Sequence, residues 1–191
     1  MGRWEPNARD RLARAAVELF SQQGFANTTV PQITHRAGLT TRSFYRHFTD
    51  KREVLFAVED EFPEVVAQVM AQVPTTLSPR ATLERAAEIV ATTRFEGLRA
   101  FLQTRRAIIA TDHGLRERAL EKYAALSAVV SREFTHRGLD QLSATLSAQV
   151  LVTVLTLSLD RWLDQHQHQP TLNALMNKTF NALWAIAADD R

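Results

Sequence analysis

The chain of 191 residues contains no cysteine. Disulfides, cysteine-built zinc sites and cysteine nucleophiles are therefore excluded. Glycine and proline number six each, too few for a collagen-like or linker-rich protein. Runs of β-branched residues with period two are scarce. Ala, Leu, Arg, Glu and Gln are abundant instead, which favours an all-α protein. The most apolar run, Val150 to Leu159, is broken by Thr153, Thr156 and Ser158 and falls short of the about 20 apolar residues that span a bilayer. It reads as a buried helix. The N-terminus, MGRWEPNARDRLARAAVELF, lacks an uninterrupted apolar core, so no signal peptide is expected. Together these absences predict a cytoplasmic protein with no membrane partner. No P-loop, HExxH, GxSxG or dinucleotide fingerprint is present, and no cofactor is expected.

Hydrophobic residues make up 45% of the chain, enough for a substantial core. Net charge is only +2, but it is unevenly spread. Residues 1–52 hold nine Lys/Arg against four Asp/Glu, and residues 53–191 hold fourteen against seventeen. A basic end on an acidic body suits a polyanion partner for the first fifty residues. A solvated basic face accounts for the same numbers.

Helix signals run the length of the chain. NARDRLARAAVELFSQQGF predicts a first helix, capped by Asn7 with Asp10 three residues on, and ended by Gly24 with apolar Phe25 after it. Thr29 and Gln32 have capping-box spacing before a short second helix, with Pro31 in its first turn and Gly38 at its end. Thr40 caps LTTRSFYRHF. Asp50 and Glu53 then begin a longer helix that Pro63 kinks or interrupts. Further helices are expected over about 78–93, 96–111, 115–137, 140–165 and 171–187, about nine in all. Asp112-His113-Gly114 reads as a turn.

The third of these helices carries the densest chemistry. At 100° per residue, Phe44 and Phe48 mark a buried side, and Arg42 and Arg46 lie roughly opposite, flanked by Ser43 and Tyr45. Thr40 and Thr41 sit at the helix N-terminus, where free amides favour phosphate oxygens. An arginine fork matches guanine O6 and N7 in the major groove. Hydroxyls, His47 and Lys51 suit phosphates. Two short helices joined by a tight glycine turn form a helix-turn-helix, although a plain helical hairpin with a polar face gives the same pattern.

The run TTVPQITHRAGLTTRSFYRHFTDKREVL resembles the DNA-binding domain of TetR-family transcriptional regulators. The features that match are Thr28-Thr29, Ile33, Ala37-Gly38-Leu39, Thr40, Ser43-Phe44-Tyr45, His47-Phe48, and Lys51 with Glu53 and Leu55. AAVELFSQQGF fits the family's first helix, so the likeness covers about residues 8–56. It implies a helix-turn-helix domain over 1–50 and a helical ligand-binding and dimerisation domain over 51–191. Carried across by position, Thr41, Arg42 and Arg46 are base readers. Thr29, Thr40, Ser43, Tyr45, His47 and Lys51 contact the DNA backbone. Arg42 stands where many members have a small residue, and Pro31 where a charge is common, so the operator does not follow from relatives.

The resemblance further implies a homodimer on a palindromic double-stranded operator, with the last two helices forming a four-helix interface. Val150, Leu155, Leu159, Leu175, Phe180 and Trp184 are its candidate residues. The same residues would also complete a monomer's own core. A hydrophobic or amphipathic small-molecule effector is implied as well, with Phe95, Phe101, Arg105, Tyr123, Ser127, Thr153, Thr156 and Trp162 as pocket candidates. The function expected is ligand-responsive transcriptional regulation, most simply repression. The rival readings are a non-specific DNA-binding structural protein and a small helical enzyme. Asp112-His113 for acid–base chemistry and His166 with His168 for a metal have no supporting context.

Overall fold

The computed structural model describes residues 8–57, 59–95, 97–165 and 170–188. Asn7, Glu96, His166 and His168 lie outside the described residues. Among those described there are nine α-helices and no strands: α1 Ala8–Gln23, α2 Val30–Arg36, α3 Thr41–His47, α4 Phe62–Gln72, α5 Pro79–Arg94, α6 Arg99–Ala110, α7 His113–His136, α8 Gln141–Asp164 and α9 Leu172–Ala188.

The helix starts follow from side-chain oxygens that meet orphan amides. Thr29 and Gln32 close a full capping box on α2. Thr40 accepts from the Ser43 amide at 3.1 Å, Ser78 from Ala81 at 3.3 Å, Asp140 from Ser143 at 3.0 Å and Thr171 from Ala174 at 3.2 Å. Asp112 accepts from the Leu115 amide at 3.0 Å, so His113 and Gly114 open α7 instead of forming a turn.

One expected helix is absent. The chain after Asp50 forms two 3-10 turns, Glu53–Phe56 and Glu59–Glu61, and α4 starts only at Phe62. Pro63 is thus the second residue of α4. A proline there costs nothing, whereas a continuous helix would force its ring against the carbonyl four residues back.

The described chain divides into two compact units. One comprises residues 1–61 with 101–122, the other 62–100 with 123–191. The boundary expected at residue 50 therefore moves to 61, and the first unit also takes in most of α6 and the first ten residues of α7.

In the first unit, α1, α2 and α3 pack around Leu12, Ala16, Phe20, Ile33, Phe44 and Phe48, all buried. Val54, Leu55 and Phe56 from the first 3-10 turn extend this core to Ile108 and Leu115. The turn between α2 and α3 is a Schellman motif. The Leu39 amide donates to Thr34 O at 2.8 Å and the Gly38 amide to His35 O at 3.1 Å, with Gly38 at φ +63°.

In the second unit, α8 packs on α9 and α5, and α4 packs on α5. The inner side of α8 is narrow: Ala144, Ala148 and Ser158 are fully buried beside Leu155. Ser158 Oγ and Thr179 Oγ1 lie 3.0 Å apart inside the α8–α9 contact. Trp184 stacks on Phe180 and donates its indole N–H to Glu84 at 2.8 Å, clasping α9 to α5.

These placements change the expected interface. Leu155 and Phe180 are buried in the unit's own core, Leu175 is buried too, and Val150, Leu159 and Trp184 are partly buried against that core. The outer face of α8 carries other residues. Leu142, Leu146 and Leu157 are 70%, 57% and 47% exposed. They fall within about 60° of one another on the helix wheel, with exposed Gln149 and Thr153 between them. Sequence periodicity could not separate the two faces, because leucine lies on both.

Gly38→Ala tests the helix-turn-helix corner. A Cβ at φ +63° is strained and would lie 3.0 Å from Arg11 Nη2. We expect a loss of about 1–2 kcal/mol in urea unfolding.

Candidate nucleic-acid interface

Helix α3 has seven residues. Phe44 and Phe48 hold it to the core, and Phe44 meets Phe48 and Tyr45 at ring distances of 5.4 Å. With that side fixed, Thr41, Arg42, Tyr45 and Arg46 project outward as one exposed group. Tyr45 is 58% exposed, a large aromatic area for a folded surface. Arg46 Nη2 lies 3.4 Å from His47 Nε2. Neither Arg42 nor Arg46 has a carboxylate partner among the described ion pairs. The three expected base readers, Thr41, Arg42 and Arg46, are therefore brought together.

The expected backbone contacts divide into two groups. Thr40, Ser43, Tyr45 and His47 lie on α3 or cap it. Thr40 Oγ1 accepts from an amide, which leaves its own hydroxyl hydrogen available. Thr29 is exposed at the start of α2, but its hydroxyl donates to Gln32 Oε1 at 3.1 Å and accepts from the Gln32 amide at 3.4 Å. Lys51 points inward. Its ammonium donates to Phe25 O at 2.6 Å and Thr28 O at 2.8 Å, and it sits 4.3 Å from the centre of the Phe25 ring. Burial pushes its pKa below the ordinary lysine value, against the opposing pull of Asp112.

Several residues that place this face escaped the sequence reading. Arg11 Nη2 donates to Ala37 O at 2.5 Å and ties the helix-turn-helix corner to α1. Gln23 Nε2 donates to Asn27 O, Thr28 Oγ1 and Gln32 Oε1, all within 3.2 Å, joining α1 to the start of α2.

The 3-10 segment is held by ion pairs from α6 and α7. Glu53 accepts from Arg118 Nε at 2.6 Å and Lys122 Nζ at 3.1 Å. Lys122 also reaches Asp60 at 2.7 Å, and Asp60 pairs with Arg9 at 2.5 Å. Arg105 donates to Leu55 O at 2.6 Å and to Glu59. Arg118 and Lys122 stand 65 and 69 residues from Glu53, so no local spacing announces them.

Burial alone would raise the Glu53 pKa, but the hydrogen bonds from Arg118 and Lys122 outweigh it and hold the carboxyl below its ordinary value. Burial alone would lower Lys122, but its bonds to Asp60 and Glu53 raise it.

The expected effector residues do not gather in one unit. Phe101 and Arg105 belong to the first, and Arg105 is engaged there with Leu55 and Glu59. Phe95, Tyr123, Ser127, Thr153, Thr156 and Trp162 belong to the second. Within it Thr153 is exposed on the outer face of α8, and the Thr156 hydroxyl bonds back to Val152 O at 2.9 Å. Ser127 is buried, and Phe95 and Trp162 pack on the core.

A short helix fixed by an aromatic side, entered through a glycine corner and presenting two arginines and a tyrosine, defines a helix-turn-helix nucleic-acid-binding domain. Residues 12–58 match the family model of bacterial regulatory proteins of the tetR family. Over that stretch the chain is similar to the tetR family of bacterial regulatory proteins.

The regulator TcmR of Streptomyces glaucescens is 43% identical over 58 residues, 28% of this chain and 26% of that protein. SrpR of Pseudomonas putida is 46% identical over 50 residues, 26% of this chain and 24% of its own length. The chain thus spans about a quarter of these relatives.

Likeness in fold extends further. A TetR-family regulator from Syntrophomonas wolfei superimposes with TM-score 0.64 at 14% identity, covering 94% of each chain. Bacillus subtilis FadR, solved with stearoyl-CoA, gives 0.58 at 18% identity, covering 91% of this chain and 96% of its own. At these identities the likeness is one of fold alone.

Glu53 sets a pH dependence. Its contribution to stability is present above the ordinary glutamate value of 4.5 and is lost as pH falls through its lowered folded value. The Lys122 contribution is present below 10.5 and is lost as pH rises through its raised folded value. Glu53→Gln should cost on the order of 3 kcal/mol at neutral pH. It should also flatten the fall in urea midpoint between about pH 5 and pH 2.

Proposed function

We propose that the chain is a ligand-responsive transcriptional regulator that binds a palindromic operator as a homodimer and acts as a repressor. The observation that carries this reading is the outward group Thr41, Arg42, Tyr45 and Arg46 on a helix pinned by Phe44 and Phe48. One such helix touches few base pairs, and a second copy one helical turn away, about 34–36 Å, multiplies the contact. The exposed leucine row on α8 supports the pairing, since it is an apolar stripe with no cover in the monomer. Ile186, 75% exposed on α9, adds to the apolar surface.

The effector is read as hydrophobic or amphipathic. Phe95, Trp162, Tyr123 and Ser127 share the second unit and have the apolar and polar chemistry such a ligand needs, and FadR of B. subtilis was solved with stearoyl-CoA. A coupling of about 1–3 kcal/mol between effector and DNA shifts operator affinity about 5–150-fold.

Titration against DNA flanking the chain's own coding region, with random DNA of equal length as reference, tests the central reading. A preference of about 10³ or more is expected, and equal binding to both would leave a non-specific DNA-binding protein. Arg42→Ala should lose about 1–3 kcal/mol on the preferred site and relax one base position. Leu146→Glu with Leu157→Glu should give folded monomers in light scattering, and a persistent dimer would place the interface elsewhere.

A further inference from the structure

We propose that Lys51 serves DNA binding as a positioning residue, tying the α1–α2 turn to the chain that leaves α3, and not as a contact to phosphate. The proposal rests on the DNA-binding reading above.

Its ammonium has three hydrogens. Two are directed at Phe25 O and Thr28 O, at 2.6 and 2.8 Å, and the Phe25 ring covers a further side at 4.3 Å. Phe25 is itself set edge-on against Phe20 in the core, at 5.1 Å. Two carbonyls and one ring face of the turn thus hold a half-buried cation.

The two ends of this tie give it a function. Phe25 and Thr28 precede α2, and Lys51 follows α3, so the bond closes a loop around the whole helix-turn-helix. Thr28 is almost fully buried, and its hydroxyl donates to Gly24 O at 2.8 Å. The next residue, Thr29, is the cap of α2. Fixing Thr28 therefore fixes where the α2 N-terminus stands relative to α3, the two features that would meet one DNA strand together. Arg11 makes the corresponding tie at the middle of the motif, on Ala37 O. In both cases a cation donates to backbone carbonyls at the edges of the helices, and removing it leaves them without that charged donor.

The two roles separate in a salt titration. A phosphate contact releases counterions, and its loss reduces the slope of log K against log salt by about 0.9. A positioning residue changes K and leaves the slope alone. Lys51→Met keeps most of the stem and removes every donor. We expect binding to a mixed-sequence duplex and to DNA flanking the gene to weaken alike, by about tenfold or more. The slope should match the wild type, and the Thr28 and Ile33 amides should exchange faster with solvent. Arg46→Ala, measured beside it, should relax preference at a base position without changing that exchange.

Lys51→Arg decides the matter if the methionine variant does not fold. It keeps the charge but not the compact ammonium, so positioning predicts weakened binding at unchanged slope, and a phosphate contact predicts wild-type affinity. A slope reduced by about one phosphate in Lys51→Met, or exchange at wild-type rates, overturns the proposal alone. Failure of the wild type to bind either DNA overturns the DNA-binding reading, and this proposal with it.

Discussion

Seven residues are too few to hold a helix in water, where lengths under about 12–15 residues are marginal. Helix α3 exists because Phe44 and Phe48 are buried against α1, and burial of one such side chain supplies about 1.5–3 kcal/mol. The same burial sets the helix's rotation about its own axis, since one face is committed to the core. Arg42, Tyr45 and Arg46 acquire a defined direction only through that commitment. The glycine corner, the capping threonines and the Arg11 tie then refine a placement that the two phenylalanines make possible.

Around this centre the unit is stiffened by polar contacts of unequal worth. Arg36 with Glu18 and Arg52 with Asp50 are exposed pairs, which water and salt screen to little effect. The Glu53 cluster is different in kind. Glu53 and Lys122 are nearly covered, with side chains 12% and 13% exposed, and each partner is needed to keep the other from being a buried unpaired charge. The cluster also explains how a segment too irregular for an α-helix stays ordered: α6 and α7 supply the donors that its own backbone ladder does not.

How much of this was legible in the sequence depended on range. The capping box at Thr29 and Gln32, the caps at Thr40, Ser78 and Asp140, and the Gly38 stop are fixed by neighbours within five residues, and they read directly. So did the buried side of α3, because two phenylalanines four apart leave little choice. The long helix expected after Asp50 failed because the competing interactions come from Arg105, Arg118 and Lys122, far along the chain. The run Val150 to Leu159 was read as a buried helix, and α8 does carry the core residues Val154 and Leu155. Whether Leu155 serves a partner or the monomer's own core was left open there, and the burial of Ala144, Ala148 and Ser158 beside it shows which side is inner. Lys51 was read by residue type as a phosphate ligand, and type does not report which way an ammonium turns.

The basic surplus of the first fifty residues looks different once its partners are known. Arg9, Arg36 and Arg52 are matched by carboxylates, and Arg11 and Lys51 face backbone carbonyls. Much of the positive charge thus holds the domain together before any polyanion arrives, and Arg42 and Arg46 are the cations that α3 itself presents. Attraction to an indifferent polyanion grows with the number of phosphates neutralised, so cations already engaged inside the domain add less to that pull than their number in the sequence suggests.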